Sequence, residues 1–357
     1  MINFAKGACA LGKIVYRTKN TSTQSTAICE AFCKALENKA AKEKTTTLFD
    51  AYCKTMSKPE VANRHAARIV GDIEQKSNEL KAIADKILKN SGVDAAVSAR
   101  VKGVDSSASK IIKKFTGFQK KGYESVKENI YDIMFGKGTR EVIGDSYGFR
   151  YIINSEKTGG RKSSLKLYES ILESSQQNSK NFSLTGFEDY YGKGITPYGN
   201  KAIRDKFAQL QYQTPSGKTK ETVSSFTEKP AGYTRTNINA RINCVNVEIQ
   251  VGGKHTTKWG DVEHILYDMR QNKPLDMSKY TPEQKELALQ IQKAYQEVLA
   301  RKSGHTADEF CEKYLNKLWE SFREAEIKNL DTPMYPAFPK GFPEILKVEN
   351  LLKLAHD

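Results

Sequence analysis

Long apolar runs are missing from this chain of 357 residues. No stretch of about 18 residues is apolar enough to cross a bilayer, which argues against a membrane protein. The N-terminal apolar segment is weak and broken by Lys6 and Lys13, so no cleaved leader is expected and the cytoplasm is the expected compartment. Cysteine is scarce too. Cys9, Cys29, Cys33, Cys53, Cys244 and Cys311 are spread too thinly for a disulfide framework. Cys29 and Cys33 lie one helical turn apart but have no second pair to complete a zinc site, so the thiols read as reduced core residues. Also absent are a GxxxxGK[ST] loop, an HExxH pair and a GxSxG elbow, which removes the commonest ATPase, metalloprotease and esterase readings. Neither an internal repeat nor a low-complexity tract is found.

What the chain does have is positive charge. Lys and Arg number 57 against 42 acids, a net charge of +15. That balance favours a phosphate-bearing partner without choosing between a nucleotide, tRNA and nucleic acid in general. The length suits one catalytic-sized unit with appended helices, or two domains.

Three zones follow one another. Residues 1–92 read as helical: Ser57-Lys58-Pro59-Glu60 has the form of a capping box, and Val61 to Asn90 places Ile69, Ile73, Leu80, Ile83 and Ile87 at helical spacing before Ser91-Gly92 ends the run. Residues 93–275 change texture. Strands are expected at Gly148 to Ile153, Asn181 to Phe187, Glu221 to Thr227, Thr234 to Ile242 and Cys244 to Val251, with helices near Ser106 to Phe118, Ser163 to Ser174 and Lys201 to Gln211. The alternation has no regular βα period, so the expected class is α+β, a mixed β-sheet flanked by helices. Residues 276–357 return to helix: Thr281-Pro282-Glu283-Gln284 opens one that Gly304 closes, Thr306 opens another, and Pro333, Pro336, Pro339 and Pro343 break the chain before a last short helix. Ser155 to Ser164 and Thr214-Pro215-Ser216-Gly217-Lys218 are turn-rich insertions.

Candidate chemistry sits in the middle zone. If a helix begins near Asp105, Ser106 and Lys110 share a face, and Arg100 and Lys102 lie just before an N-terminus that favours anions. The pattern could cradle a triphosphate or be a solvated basic helix start. Asp145 could hold Mg²⁺ at the mouth of a strand, and Arg150 could stack on a base or grip phosphate. Their offset of five puts them on opposite faces of an unbroken strand, so Asp145 must precede the strand or Gly148 must bend it. A strand-edge salt bridge is the plain alternative. Glu248 points the same way as Gln250, on the less apolar side of its strand. Such an acid needs a metal, a substrate hydroxyl or a cross-strand cation. Tyr233 and Asn237 face one way on a strand, as a stacking ring and a reading amide would, or as a half-buried sheet aromatic with a neighbour. His264 falls on an expected helix, where a lone histidine is usually structural.

In order, Arg100, Lys102, Ser106 and Lys110, then Asp145, Gly148 and Arg150, then Lys229, Gly232 and Tyr233, then Glu248-Ile249-Gln250 and Glu263-His264 form a set. That set resembles the RelA/SpoT homology family of alarmone synthetases, over about residues 95–275. The resemblance implies a nucleotidyltransferase-like synthetase core. It also implies transfer of pyrophosphate from ATP to the 3′-hydroxyl of GDP or GTP, giving (p)ppGpp. Arg100 and Arg150 would stack on adenine, and Lys102, Ser106 and Lys110 would hold the ATP phosphates. Asp145 would bind Mg²⁺, and Glu248 would complete the metal site or draw the proton from the acceptor, supported by Gln250. Tyr233 would stack on the acceptor base, with Lys229, Asn237 and His264 on the acceptor side. Asn237 stands where many members have histidine, and Gly252-Gly253 where an Arg-Thr pair often follows. The acceptor therefore stays open between a guanine nucleotide, an adenine nucleotide and a tRNA 3′-end. The only His-Asp dipeptide, His356-Asp357, is terminal, so no hydrolase domain is expected and a toxin-like role is a natural extension. Glu188 to Glu228 is a longer excursion than compact members carry, a candidate substrate-side loop. A catalytically silent RNA- or nucleotide-binding regulator is the reading from another class. The sequence does not decide the oligomeric state.

Overall fold

The computed structural model describes residues 42–135, 139–154, 160–190, 201–226 except 216, 235–253 and 282–301, with isolated positions at 28–35, 254–260 and 277–279. The Thr281 cap, the segments after residue 301 and the first half of the Ser155 to Ser164 insertion lie outside the described residues, and the second half of that insertion is helical rather than a turn.

Three helices lead in: α1 (Lys42–Met56), α2 (Pro59–Glu74) and α3 (Ser77–Ser91). The expected capping box at Ser57 does not form. Lys58 is the N-cap of α2, with extended backbone and no side-chain cap bond, and Pro59 sits at the start of the helix, where its missing N–H costs nothing. Ser57 instead closes α1, its N–H bonding the Cys53 carbonyl at 3.0 Å. The single apolar run from Val61 to Asn90 is two helices, parted at Gln75-Lys76. Gly92, in the left-handed region at φ 61, ends α3 as a C-cap that a side chain would strain.

The rest alternates strand and helix: β1 (Ala95–Val101), α4 (Val104–Lys121), α5 (Tyr123–Phe135), β2 (Tyr147–Ile153), α6 (Gly160–Gln177), β3 (Phe182–Asp189), α7 (Lys201–Ala208), β4 (Gln211–Gln213), β5 (Thr219–Glu221), β6 (Val223–Phe226), β7 (Thr236–Ile242) and β8 (Val245–Gly253), with α8 (Pro282–Arg301) beyond. Six strands make one mixed sheet in the order β1-β2-β8-β7-β3-β6, and β4 and β5 pair as a separate hairpin. The β2–β8 and β3–β6 pairs are parallel; the other neighbours are antiparallel. Several elements differ from expectation: the strand expected at Glu221 to Thr227 is split between β5 and β6, which lie in different sheets, and α5 was not expected. Arg100 belongs to an edge strand, β1, rather than to a lead-in before a helix, and α7 stops at Ala208 so that Gln211 opens β4. Among the described residues, no helix is long and apolar enough to cross a membrane.

The sheet has one apolar and one polar face. In β2, Tyr147, Phe149, Tyr151 and Ile153 are buried, and in β8, Val245, Val247, Ile249 and Val251; the residues between them are less so. Burying each such side chain contributes about 1.5–3 kcal/mol. Helices cover the apolar face: the Tyr147 and Tyr151 hydroxyls donate to the Ser77 and Ala84 carbonyls of α3, and the Ser170 hydroxyl of α6 donates to Ile87 of the same helix. Residues of α1 to α3 therefore share one core with the sheet.

A two-residue turn sets the register of β7 against β8. Asn243 (φ 49) and Cys244 (φ 63) both occupy the left-handed region, as the twist-matched hairpin turn demands. The start of α3 grips this turn: Lys76 Nζ donates to the Asn243 carbonyl at 3.0 Å, and the Asn243 amide donates to Glu79 at 2.6 Å. Because strand side chains alternate faces, a slip of one residue would bury Glu248 in the core face.

Candidate functional site

Two rows of polar side chains cross the exposed face. One runs through the paired positions Arg100, Gly148, Glu248, Asn239 and Gly186. The next runs through Ser98, Arg150, Gln250, Asn237 and Glu188. Gly148 leaves a gap in the first row, and the Arg100 side chain lies over it. A Cβ built there would stand 3.8 Å from Arg100 Cγ and 3.9 Å from its Nε.

Asp145 precedes β2 in a turn, which resolves the odd offset from Arg150. One carboxylate oxygen accepts from Lys102 Nζ at 2.8 Å and the other from Lys110 Nζ at 2.6 Å. Lys102 follows directly on β1 and Lys110 lies in the second turn of α4, so three parts of the chain meet at one acid. Burial pushes the Asp145 carboxyl upward, but Lys102 and Lys110 together outweigh it and hold it below the usual carboxylate range. Burial likewise lowers the Lys102 ammonium despite its partner. Ser106 is exposed in the first turn of α4, one turn before Lys110.

Glu248 is held differently. Its Oε2 accepts from Gln250 Nε2 at 2.7 Å and its Oε1 from Asn237 Nδ2 at 3.3 Å. The Gln250 amide is oriented from behind: its oxygen accepts from Arg150 Nε at 3.1 Å and from Arg235 Nη1 at 2.8 Å. With two guanidinium donors on the oxygen, the NH₂ end must face the carboxylate. Arg235 is only 1% exposed, and its other nitrogen donates to the Thr257 carbonyl at 3.4 Å. Burial raises the Glu248 carboxyl above its ordinary value, and the negative charge of Asp145 raises it further, against the Gln250 bond, Lys110 and Arg100.

Two acids that repel each other in a half-dry site, ringed by cations, suit a divalent ion that brings phosphates with it. Mg²⁺ commonly uses one or two carboxylates and completes its shell with water and phosphate oxygens, so the donor set of Asp145 and Glu248 fits it. A cage supplied wholly by the protein is not present: among the described residues, no three His, Cys, Asp or Glu side chains gather for a metal.

Of the residues singled out in the sequence, Arg100, Lys102, Lys110, Asp145, Arg150, Asn237, Glu248 and Gln250 come together on this face and its rim. Lys229, Tyr233 and His264 lie outside the described residues. Sequence reasoning missed Arg235, which carries no pattern of its own. It also missed Asn239, whose signal was available in the alternation of Asn237, Asn239 and Arg241 with Ile238, Ala240 and Ile242. No family model matches the sequence, and no curated protein matches it.

Proposed function

We propose that this protein is a Mg²⁺-dependent nucleotide pyrophosphokinase with a nucleotidyltransferase-like core. In this reading it moves the β,γ-pyrophosphate of ATP to the 3′-hydroxyl of a nucleotide acceptor, with GDP or GTP as first choice. The observation that carries the reading is that Asp145, held by Lys102 and Lys110 in the turn before β2, lies close enough for its charge to raise the Glu248 carboxyl, with Arg100 and Arg150 on the same polar sheet face as Glu248.

Each residue then has a task. Arg100 and Arg150 are diagonal neighbours on adjacent antiparallel strands. Their side chains rise from the same face of the sheet, so the two guanidinium groups can reach opposite faces of one flat base. Lys102 and Lys110 turn from Asp145 to the incoming phosphates, and Ser106 adds a hydroxyl. Asp145 would hold Mg²⁺, which would supply neutralisation of the phosphate charge. Glu248, whose carboxylate burial makes more basic, takes the proton of the acceptor 3′-hydroxyl as that oxygen bonds to the β-phosphorus. The bond from the β-phosphorus to the bridging α,β-oxygen breaks, and AMP leaves. Gln250 and Asn237 keep the carboxylate pointed at the hydroxyl, so the barrier falls mainly through positioning and charge.

The test is incubation of the full chain with ATP, Mg²⁺ and one acceptor at a time: GDP, GTP, ADP or labelled tRNA. Chromatography should show AMP and a 3′-pyrophosphorylated product with at least one acceptor. AMP production with none of them overturns the reading, and the product formed separates nucleotide from tRNA acceptors.

A further inference from the structure

Asp145 stands in a turn, outside the ladder that fixes Glu248, so something else must set where its carboxylate lies. The residue beside it does this. The parallel pairing of β2 with β8 begins with Tyr147 opposite Val247. One step earlier it continues through a side chain: the Ser146 hydroxyl donates to the Asn246 carbonyl at 2.8 Å. On its other side the Ser146 carbonyl accepts from the Lys102 N–H at 3.0 Å. Ser146 is only 2% exposed. It therefore joins the turn both to the strand that bears Glu248 and to the lysine that binds the Asp145 carboxylate.

The approach to the turn is tied to the same part of the sheet. The Asn246 amide donates to the Ile143 carbonyl at 3.4 Å. Arg241, the cross-strand partner of Asn246, is ion-paired with Glu141 at 3.0 Å, and the two side chains are 17% and 13% exposed. Residues 141 to 146 are thus fastened at both ends, with Gly144 and Asp145 between the ties. On β8, Asn246 precedes Glu248 by two residues on the same polar face. One short stretch of strand therefore carries one acid and anchors the other. Groups that hold a metal ligand from behind, without touching the metal, set its orientation and are worth about 10–100-fold in metal affinity.

We infer that Ser146 is a positioning residue: with Asn246 it holds the Asp145 turn against β8, so that the Asp145 and Glu248 carboxylates are set for one divalent ion before the ion arrives. The inference rests on the pyrophosphate-transfer reading for its effect on turnover; its effect on metal binding does not. The two acids are fixed by different means. Gln250 orients Glu248 through a side chain of the same strand, whereas Ser146 fixes Asp145 through the main chain of the neighbouring one. Loss of the Ser146 hydroxyl frees the turn to shift, and the ion must then gather a ligand that the fold no longer presents. The lysines and arginines placed with ATP keep their own positions on β1, α4 and β2 or directly after β1.

The experiment is titration of the full chain with Mn²⁺, without nucleotide, followed by the electron paramagnetic resonance of the free ion. Ser146→Ala should raise the Mn²⁺ dissociation constant about tenfold, and Asn246→Ala should raise it in the same direction. A non-hydrolysable ATP analogue, titrated without divalent ion, should bind wild type and variants alike. In the transfer assay Ser146→Ala should lower kcat and leave KM for ATP unchanged. Asn246→Ala removes a different bond of the same set, which keeps the test open if Ser146→Ala fails to fold. A wild type that binds no Mn²⁺, an unchanged Mn²⁺ constant in the folded variants, or an equal loss of the ATP analogue overturns the inference. Failure of the pyrophosphate-transfer reading has a different signature: a Mn²⁺ constant that depends on Ser146, with no transfer product.

Discussion

Gln250 donates its amide N–H to Glu248 at 2.7 Å, two residues away on the same face of one strand. The bond is directional only because Arg150 and Arg235 occupy the amide oxygen. A carboxylate raised by burial and by Asp145 is thus held in one rotamer by neutral donors, which leave it able to take a proton.

Replacing Glu248 by Gln removes the base and keeps the shape. Transfer should fall at least about a hundredfold, measured as initial rates of AMP release. The sign for stability runs the other way. A carboxyl whose folded pKa lies above its unfolded value weakens folding as pH rises through that window. Without Mg²⁺, the Tm of Glu248→Gln at pH 7 should therefore equal or exceed that of the wild type. A drop of more than about 5 °C, roughly 3–4 kcal/mol for a chain of 357 residues, would make Glu248 a structural anchor instead.

Asp145→Asn acts in the opposite sense. Its carboxyl is held low by Lys102 and Lys110, so it contributes stability that is present above the ordinary carboxylate range and lost as pH falls through its folded value. The side chains of Lys102 and Asp145 are 15% and 21% exposed, so the loss should be about 1–2 kcal/mol at pH 6. Urea midpoints should show the gap to wild type narrowing toward pH 3. Equal midpoints at pH 6 would mean that the pairing stabilises nothing.

Arg235 is tested by a conservative change. Lysine keeps the charge but cannot bond Gln250 and the Thr257 carbonyl with one planar group. Arg235→Lys should lower kcat roughly tenfold, about 1.4 kcal/mol, with KM for ATP unchanged. Gly260→Ala should reproduce part of this, since a Cβ there would stand 2.7 Å from Arg235 Nη2. A change in KM alone would assign Arg235 to substrate binding.

His65, far from the site on α2, supplies an acid-sensitive element. Burial first, then Arg68 and Arg64, lower its pKa from 6.5 to about 4. The unfolded chain takes up the proton in that interval and the folded one does not, so stability should fall as pH drops from 6.5 to 4. Thermal melts of His65→Gln should show a shallower slope there than the wild type. Parallel slopes would count against a neutral, half-buried imidazole.

Much of the candidate site was legible before any coordinates. Alternation in Val247-Glu248-Ile249-Gln250 put the acid and the amide on one face, and the offset of Asp145 from Arg150 required a break, which the structure places before the strand. The Ala95–Val101 strand was not legible: its outward residues, Ala96, Ser98 and Arg100, and its small inward ones give no hydropathy contrast. Ser57-Lys58-Pro59-Glu60 carried a capping signal that was not used, because α1 continues into it and takes Ser57 as its own end.

By itself, the sequence determined the strongest helices and strands, the excess of positive charge and the facing of Glu248 with Gln250. These follow from local periodicity and composition, which neighbouring residues express wherever the chain goes. Only the tertiary structure decided that Asp145 meets lysines from two other parts of the chain, that Arg235 orients Gln250, and that the Ser146 hydroxyl ties the Asp145 turn to the strand of Glu248. Those relations depend on strand order and register, set by a turn clasped from α3 and by burial of an apolar face shared with distant helices, and no local pattern encodes either.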